Sequence, residues 1–481
     1  MAGNKVRDQK QSKFSPGGEP GEKKKFYSLL LLEAIILCIA VAAFAYFVLH
    51  DKNSGDKKKT ADNKNNPVSI TGTPTPGPAL THKEEEQEKR LKEQKAVEGK
   101  IQELIKKADR LALGYDYDGA IQLIKSFGDN YTDYEALTNA IAGYEKAKES
   151  LDPFGAYDSI DEISHVFFHI LVADTSKAFD GDYDSNGYNY YMTTIDEFKA
   201  MMQQMYDQGY VIVSIHDVTK KVKGEDGKEK YVPGDIMLPP DKKPFVISQD
   251  DVCYYEYMTG DGFASRIVLD ENGRPATEMI MDDGTVTVGD YDMVPILESF
   301  IEEHPDFSYK GAKGILALTG YEGVLGYRTN DPSSPTYEQD KKTVKNIVKV
   351  MKERGWEFAS HSYGHRDMGK ATIQFTQKDS DRWMEEVGSL IGPTDIYIFP
   401  FGIDIETTMG HYSSDKFAYL KKLGFDYFCG VYKSPWIQVK DDYVRMTRRP
   451  LDGQAMLQFP ERLKDLFDVS KVVDKSRPAL K

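Results

Sequence analysis

From about Ser159 onward, short apolar runs alternate with amphipathic helical patterns. The runs His165–Ile170, Val211–Ser214, Phe245–Ser248, Gly314–Leu318, Glu357–Ser360, Ile396–Phe399 and Phe425–Cys429 read as strands. Helical periodicity falls at Thr194–Gln208, Tyr291–Glu303, Glu338–Arg354, Lys378–Leu390 and Ser413–Leu423. Such alternation implies parallel strands joined by right-handed crossovers. The number of strands predicts an α/β fold, a distorted (β/α)7-8 barrel. One insertion, Tyr254–Asp292, breaks the rhythm. Arg266–Leu269, Thr277–Met281 and Thr285–Val288, with a turn at Asp270-Glu271-Asn272-Gly273, read there as hairpin strands. After Phe459, Glu461–Phe467 reads as a closing helix and Ser476–Lys481 as a tail.

The upstream part has a different texture. Residues 1–25 are polar and basic and end in Lys23-Lys24-Lys25, the pattern of a cytoplasmic tail. Residues 26–49 are apolar except for Glu33, long enough for one helical crossing of a ~30 Å hydrocarbon core. The preceding lysines predict a cytoplasmic N-terminus and an exported remainder, in a single-pass cell-membrane protein. A cleaved signal peptide is the rival, but the run is too long and no small-residue cleavage site follows it at once. Residues 50–82, rich in Lys, Asn, Thr, Pro and Gly, form a spacer that cannot bury a core. Residues 83–152 return to a helical pattern, first highly charged, then with Ile101, Leu104, Ile105 and Ala108 at helical spacing. Asp116-Tyr117-Asp118-Gly119-Ala120-Ile121 resembles the turn of a tetratricopeptide unit. A single copy forms no solenoid, so this stretch reads as a helical stalk, with a partner-binding surface as its alternative.

Composition narrows the partners. The chain has 481 residues, 40% hydrophobic and 29% charged, which suits two or three domains of ordinary globular character. A net charge of -15 argues against nucleic acid as a partner. Three cysteines are too few for a disulfide framework or a cysteine metal cluster.

The reactive residues gather where the predicted strands end. In a barrel of this kind, active groups sit on the loops at the C-terminal ends of strands. Phe358-Ala359-Ser360 runs into His361-Ser362-Tyr363-Gly364-His365, two histidines four apart on a loop that Gly364 keeps from continuing as a helix. Taken alone the pair fits a metal site or two satisfied histidines. Phe245-Val246-Ile247-Ser248-Gln249 ends in Asp250-Asp251, which alone reads as a turn or a helix cap. Two histidines and one carboxylate leave positions on a metal ion for a water and a substrate oxygen. A second carboxylate beside them can take a proton.

This constellation resembles the polysaccharide deacetylases with a NodB homology domain, carbohydrate esterase family four. Ser248-Gln249-Asp250-Asp251-Val252 is similar to the first motif of that family, Thr-Phe-Asp-Asp-Gly. His361-Ser362-Tyr363-Gly364-His365 matches its second motif, and Ile398-Phe399-Pro400-Phe401-Gly402 is similar in part to its third. The resemblance implies a deacetylase domain at 153–475 with its core at 244–451. It further implies hydrolysis of N-acetyl or O-acetyl groups on a polysaccharide such as peptidoglycan, a chitin-like polymer or an exopolysaccharide. Asp250 would be the base. Asp251, His361 and His365 would hold a divalent metal, most often Zn2+, and the Phe401 amide would help bind the oxyanion. Three departures stand out. Val252 replaces the motif's glycine. Ile398 stands where many members carry an arginine, for which Arg445, Arg448 or Arg449 could substitute, with Arg448 preferred. No histidine follows His411 to serve as the late general acid, and His169 at the end of the first strand is the alternative by position. Those departures also support a second expectation, a catalytically impaired glycan-binding or partner-binding surface protein on the same fold.

Overall fold

Seven strands close into a ring in chain order: β1 Ser164–Phe168, β2 Lys243–Gln249, β3 Ile315–Leu318, β4 Glu357–Ser360, β5 Ile396–Ile398, β6 Tyr427–Val431 and β7 Val444–Pro450. Each pairs in parallel with the next, and β7 closes on β1 with Arg448 opposite His165. The structure, a computed structural model, describes residues 82–154, 160–406 and 410–480. Residues 26–49, read above as a membrane span, lie outside them. No helix among the described residues is long and apolar enough to cross a membrane.

Alternation along the strands separates two cores. Inward positions Val246, Ile315, Ala317, Ala359, Ile396, Ile398, Cys429, Val444 and Met446 fill the barrel as one buried cluster. Outward positions Phe245, Ile247, Leu316, Phe358, Tyr397 and Phe428 pack under the surrounding helices. Cys253 and Cys429 are both buried free thiols.

The stalk begins with α1 His82–Leu113, followed by α2 Tyr117–Lys125 and α3 Glu135–Lys148. Asp116 caps α2 by accepting from the Gly119 amide at 3.0 Å. The outer helices are α4 Ile195–Asp207, α5 Met293–Glu303, α6 Tyr337–Glu353, α7 Ile373–Trp383 and α8 Asp415–Lys422. The signals at α4 are strong enough to fix its ends. Thr194 and Glu197 form a reciprocal capping box there. The insertion forms a three-stranded antiparallel sheet of Arg266–Leu269, Pro275–Ile280 and Val286–Gly289.

Three expectations are corrected. The run at Val211–Ser214 forms a short strand, Tyr210–Ile212, that pairs with β2, bridges to Ser308 through Ile212 and stays outside the ring. The seventh ring member is instead β7, a segment absent from the strands read in the sequence. Its three arginines hid it, since buried strands rarely carry such charge. Each is neutralised locally: Arg445 by Asp404 at 2.8 Å, Arg448 by Asp250 at 2.7 Å and Arg449 by Asp465 at 2.7 Å. Finally, Glu461–Phe467 forms no α-helix. A helix at Gly453–Gln458, capped by Asp452, precedes a 3-10 turn at Pro460–Arg462. Within the stretch read as a tail, Arg477 is buried against Glu197 of α4 at 2.6 Å.

Candidate active site

Strand β2 leaves the barrel through Asp250 and Asp251. The Asp250 amide still donates to Phe168 O at the end of β1, 2.8 Å away. Asp251 then turns with φ of 58°. The loop after β4 bends twice in the same way, at Ser362 (φ 55°) and His365 (φ 48°), and the turn after β5 does so at Phe401 (φ 58°). Each such residue costs about 1 kcal/mol or more, and such strain gathers at working sites. The β4 loop is held by Asp379 of α7, which accepts from the amides of Tyr363 at 2.8 Å and Gly364 at 2.9 Å.

These bends bring three ligand atoms together. One atom each from Asp251, His361 and His365 lies within 4.8 Å of the others. His365 Nε2 is 3.7 Å and His361 Nε2 is 3.9 Å from Asp251 Oδ1. Ligands about 2.1 Å from a tetrahedral ion stand about 3.4 Å apart, so the set fits a divalent metal after small adjustments. Hydrogen bonding prepares it further. His361 Nδ1 donates to Ile398 O at 2.8 Å, which leaves Nε2 free as a ligand. Burial, opposed by Asp250 and Asp251, holds the His361 imidazole below its ordinary pKa and therefore neutral. Tyr255 donates its hydroxyl to Asp251 Oδ1 at 2.8 Å.

Asp250 lies beside the set, with Oδ2 3.9 Å from His361 Nε2. Its other oxygen accepts from Arg448 Nη1 at 2.7 Å, and both side chains are almost completely buried. Burial works to raise the Asp250 carboxyl; Arg448, by its charge and its hydrogen bond, leads the interactions that more than offset it and bring the carboxyl down to about 2. Arg448 also stacks on Phe167, 4.2 Å from the ring centre, and reaches Ser248 Oγ at 3.4 Å, itself 2.9 Å from His165 Nε2. A polar row of His165, Ser248, Arg448 and Asp250 thus crosses the top of the barrel. Sequence reading missed the first two, although polar residues at inward positions of apolar strands were the available signal.

Phe401 is 63% exposed and packs edge-on against His365 at 4.5 Å. The amides of Gly402 and Ile403 close the turn onto Phe399 O and Pro400 O, and that of Phe401 takes no part in those bonds. His169 sits at the end of β1 with Nδ1 3.0 Å from Tyr191 O, on the same rim as Asp250. Of the other candidates, Arg445 and Arg449 are committed to Asp404 and Asp465. His411 is exposed, 3.4 Å from Lys440 Nζ. Val252 is buried and ties the acidic turn to its neighbours, donating to Ala317 O and accepting from the Leu325 amide.

With this geometry in hand, comparison with known proteins is informative. Residues 325–428, which carry the histidine pair and the Pro400-Phe401-Gly402 turn, match the family model for polysaccharide deacetylases. The chain carries a polysaccharide deacetylase domain, and its enzyme class is that of the deacetylase hydrolases. No curated protein matches the sequence. Among solved structures, the chain is similar to the Streptococcus pyogenes deacetylase PplD in complex with acetate, at 13% identity and a TM-score of 0.35 over 63% of this chain and 97% of that one. It is also similar to the putative polysaccharide deacetylase BA0330 from Bacillus anthracis, at 12% identity and a TM-score of 0.33 over 64% and 67%. These likenesses are too weak to bear on the site.

Proposed function

We propose that this chain removes N-acetyl or O-acetyl groups from a cell-surface or extracellular polysaccharide, with a divalent metal, most simply Zn2+, held by Asp251, His361 and His365. The convergence of those three ligand atoms within 4.8 Å, with Asp250 alongside, carries the reading. A metal bound there would polarise the acetyl carbonyl and acidify water. Asp250, ionised and oriented by Arg448, takes the proton from the attacking water. The Phe401 amide donates to the oxygen that becomes negative as the carbonyl carbon turns tetrahedral. For an N-acetyl group the C–N bond then breaks, acetate leaves, and His169 gives a proton to the departing nitrogen. Its hydrogen bond to Tyr191 O supports that role by fixing the ring and keeping Nδ1 protonated.

We further propose that residues 26–49 anchor the chain in the cell membrane, with the N-terminus cytoplasmic and the deacetylase domain outside; the length and apolarity of that run support this. The rival reading, a glycan-binding or partner-binding surface protein without turnover, drew on the altered first motif, the missing late histidine and the missing third-motif arginine. The 2.7 Å contact between Arg448 and Asp250 favours the enzyme. The test is acetate release by the full-length chain from acetylated chitooligosaccharides and peptidoglycan. Loss of release in Asp251→Asn and His361→Ala is expected, together with loss of bound metal. Undiminished release in either variant would remove this centre from the reaction.

A further inference from the structure

A cavity of about 530 Å³ opens directly beside His365, between the β4 loop and α7. Its wall carries three cations, Arg366, Lys378 and Arg382, and a single acid, Asp379. That acid is buried and occupied by the amides of Tyr363 and Gly364. Arg382 is braced by Glu386 at 2.7 Å and lies 4.0 Å above the Tyr363 ring, whose hydroxyl also donates to Glu386 at 2.6 Å. Arg366 and Lys378 are exposed, and neither closes an ion pair with any described residue. On a chain of net charge -15, Arg366, whose charge also acts on Asp379, and Lys378 leave this wall with three cations to one acid, a local positive field in a concave site. The same wall presents the exposed ring of Phe375, an apolar surface suited to the face of a sugar.

We propose that this cavity is a subsite for an anionic substituent, a carboxylate or a phosphate, carried by a sugar next to the one being deacetylated. The inference rests on the deacetylase reading above and names the substrate class within it: an acidic acetylated glycan rather than a neutral one. Arg366 supplies the forked donor pair and Lys378 the mobile point charge that such groups accept. Arg382 stays committed to holding Tyr363.

The test compares three acetylated oligosaccharides of equal length: one neutral, one with a carboxylate on the neighbouring sugar, one with a phosphate there. The full-length chain is assayed as wild type and as the double variant Arg366→Gln, Lys378→Gln. Wild type is expected to favour at least one acidic substrate by about tenfold in kcat/KM, mainly through KM, and less so as salt is raised. The two acidic arms tell carboxylate from phosphate. The double variant should keep its turnover of the neutral substrate and lose the preference. Equal kcat/KM for all three in wild type, or a preference that survives in the double variant, overturns the subsite. Calorimetric binding of the same compounds separates this inference from the one beneath it. Selective binding without acetate release would keep the subsite and overturn the hydrolase, whereas release without selectivity would do the reverse.

Discussion

Replacing Arg448 with glutamine, Arg448→Gln, isolates the ion pair at the top of the barrel. Arg448 is fully buried and Asp250 nearly so, and their contact is 2.7 Å. Removing one member of such a pair strands the other charge, at about 3–5 kcal/mol. The pH dependence distinguishes that loss from simple loss of packing. In the wild type the Asp250 carboxyl is drawn from 3.8 to about 2. The gap of nearly two pH units corresponds to about 2 kcal/mol. Because the folded pKa is the lower one, this stability is fully present above pH ~4 and disappears as the pH falls towards 2. In the variant, burial dominates and pushes the carboxyl up, so ionising it opposes folding as the pH rises past about 4. The stability gap between the two proteins should therefore be smallest near pH 2, already about 2 kcal/mol at pH 4, and widest at neutral pH, where it is on the order of 10 °C in Tm. Urea or thermal melts from pH 2 to 8 measure it, and the acid limb of acetate release should move upward with it. An equal gap at pH 2 and pH 8 would show that Arg448 only fills space.

Three further outcomes are expected. His216 bridges Glu357 and Asp395 at the floor of the barrel, at 2.5 and 2.9 Å. Burial disfavours its charge, but Asp395 and Glu357 prevail and push its pKa up to about 10. Its contribution is therefore complete below pH ~6.5 and lost as the pH rises towards 10. With the side chain 42% exposed, solvent limits it to about 1 kcal/mol. Melts of His216→Gln should lack the wild type's decline between pH 7 and 10, and an identical decline would refute the bridge. Tyr255→Phe deletes the hydroxyl that donates to Asp251 and should weaken metal affinity about tenfold in chelator competition with little change in Tm; unaltered affinity would exclude that support. Chelation should abolish acetate release and added Zn2+ should restore it, while activity that persists in metal-free protein would refute the metal reading.

The outer layer of the fold was legible because its signals are local. Thr194 and Glu197 announce α4 within four residues, and Glu357–Ser360 is apolar from end to end of its interior. Strand β7 was not legible, because burial of Arg445, Arg448 and Arg449 depends on acids at 404, 250 and 465. A window of a few residues cannot see a partner almost 200 positions away. The same holds for the site. The His361/His365 pair and Asp250-Asp251 were visible as motifs, each with the right residue types at a strand end. The support beneath them was not: Asp379 under the histidine loop and Tyr255 on Asp251 act through contacts that only the fold creates. His165 and Ser248 were visible in principle, as polar interruptions on the inward side of apolar strands.

The helical hairpin meets the barrel at the segment just before β3. Tyr115 donates its hydroxyl to Asp306 O at 3.1 Å, and the Lys310 amide donates to Gly114 O at 2.7 Å. That segment feeds the N-terminal end of a strand, whereas Asp251, His361 and His365 all lie beyond C-terminal ends. The barrel is therefore held from below and open above. The contacts that seat the hairpin are thus made at the end of the barrel opposite Asp251, His361 and His365, so a change at Tyr115 or Gly114 acts on the fold without touching the ligand cluster.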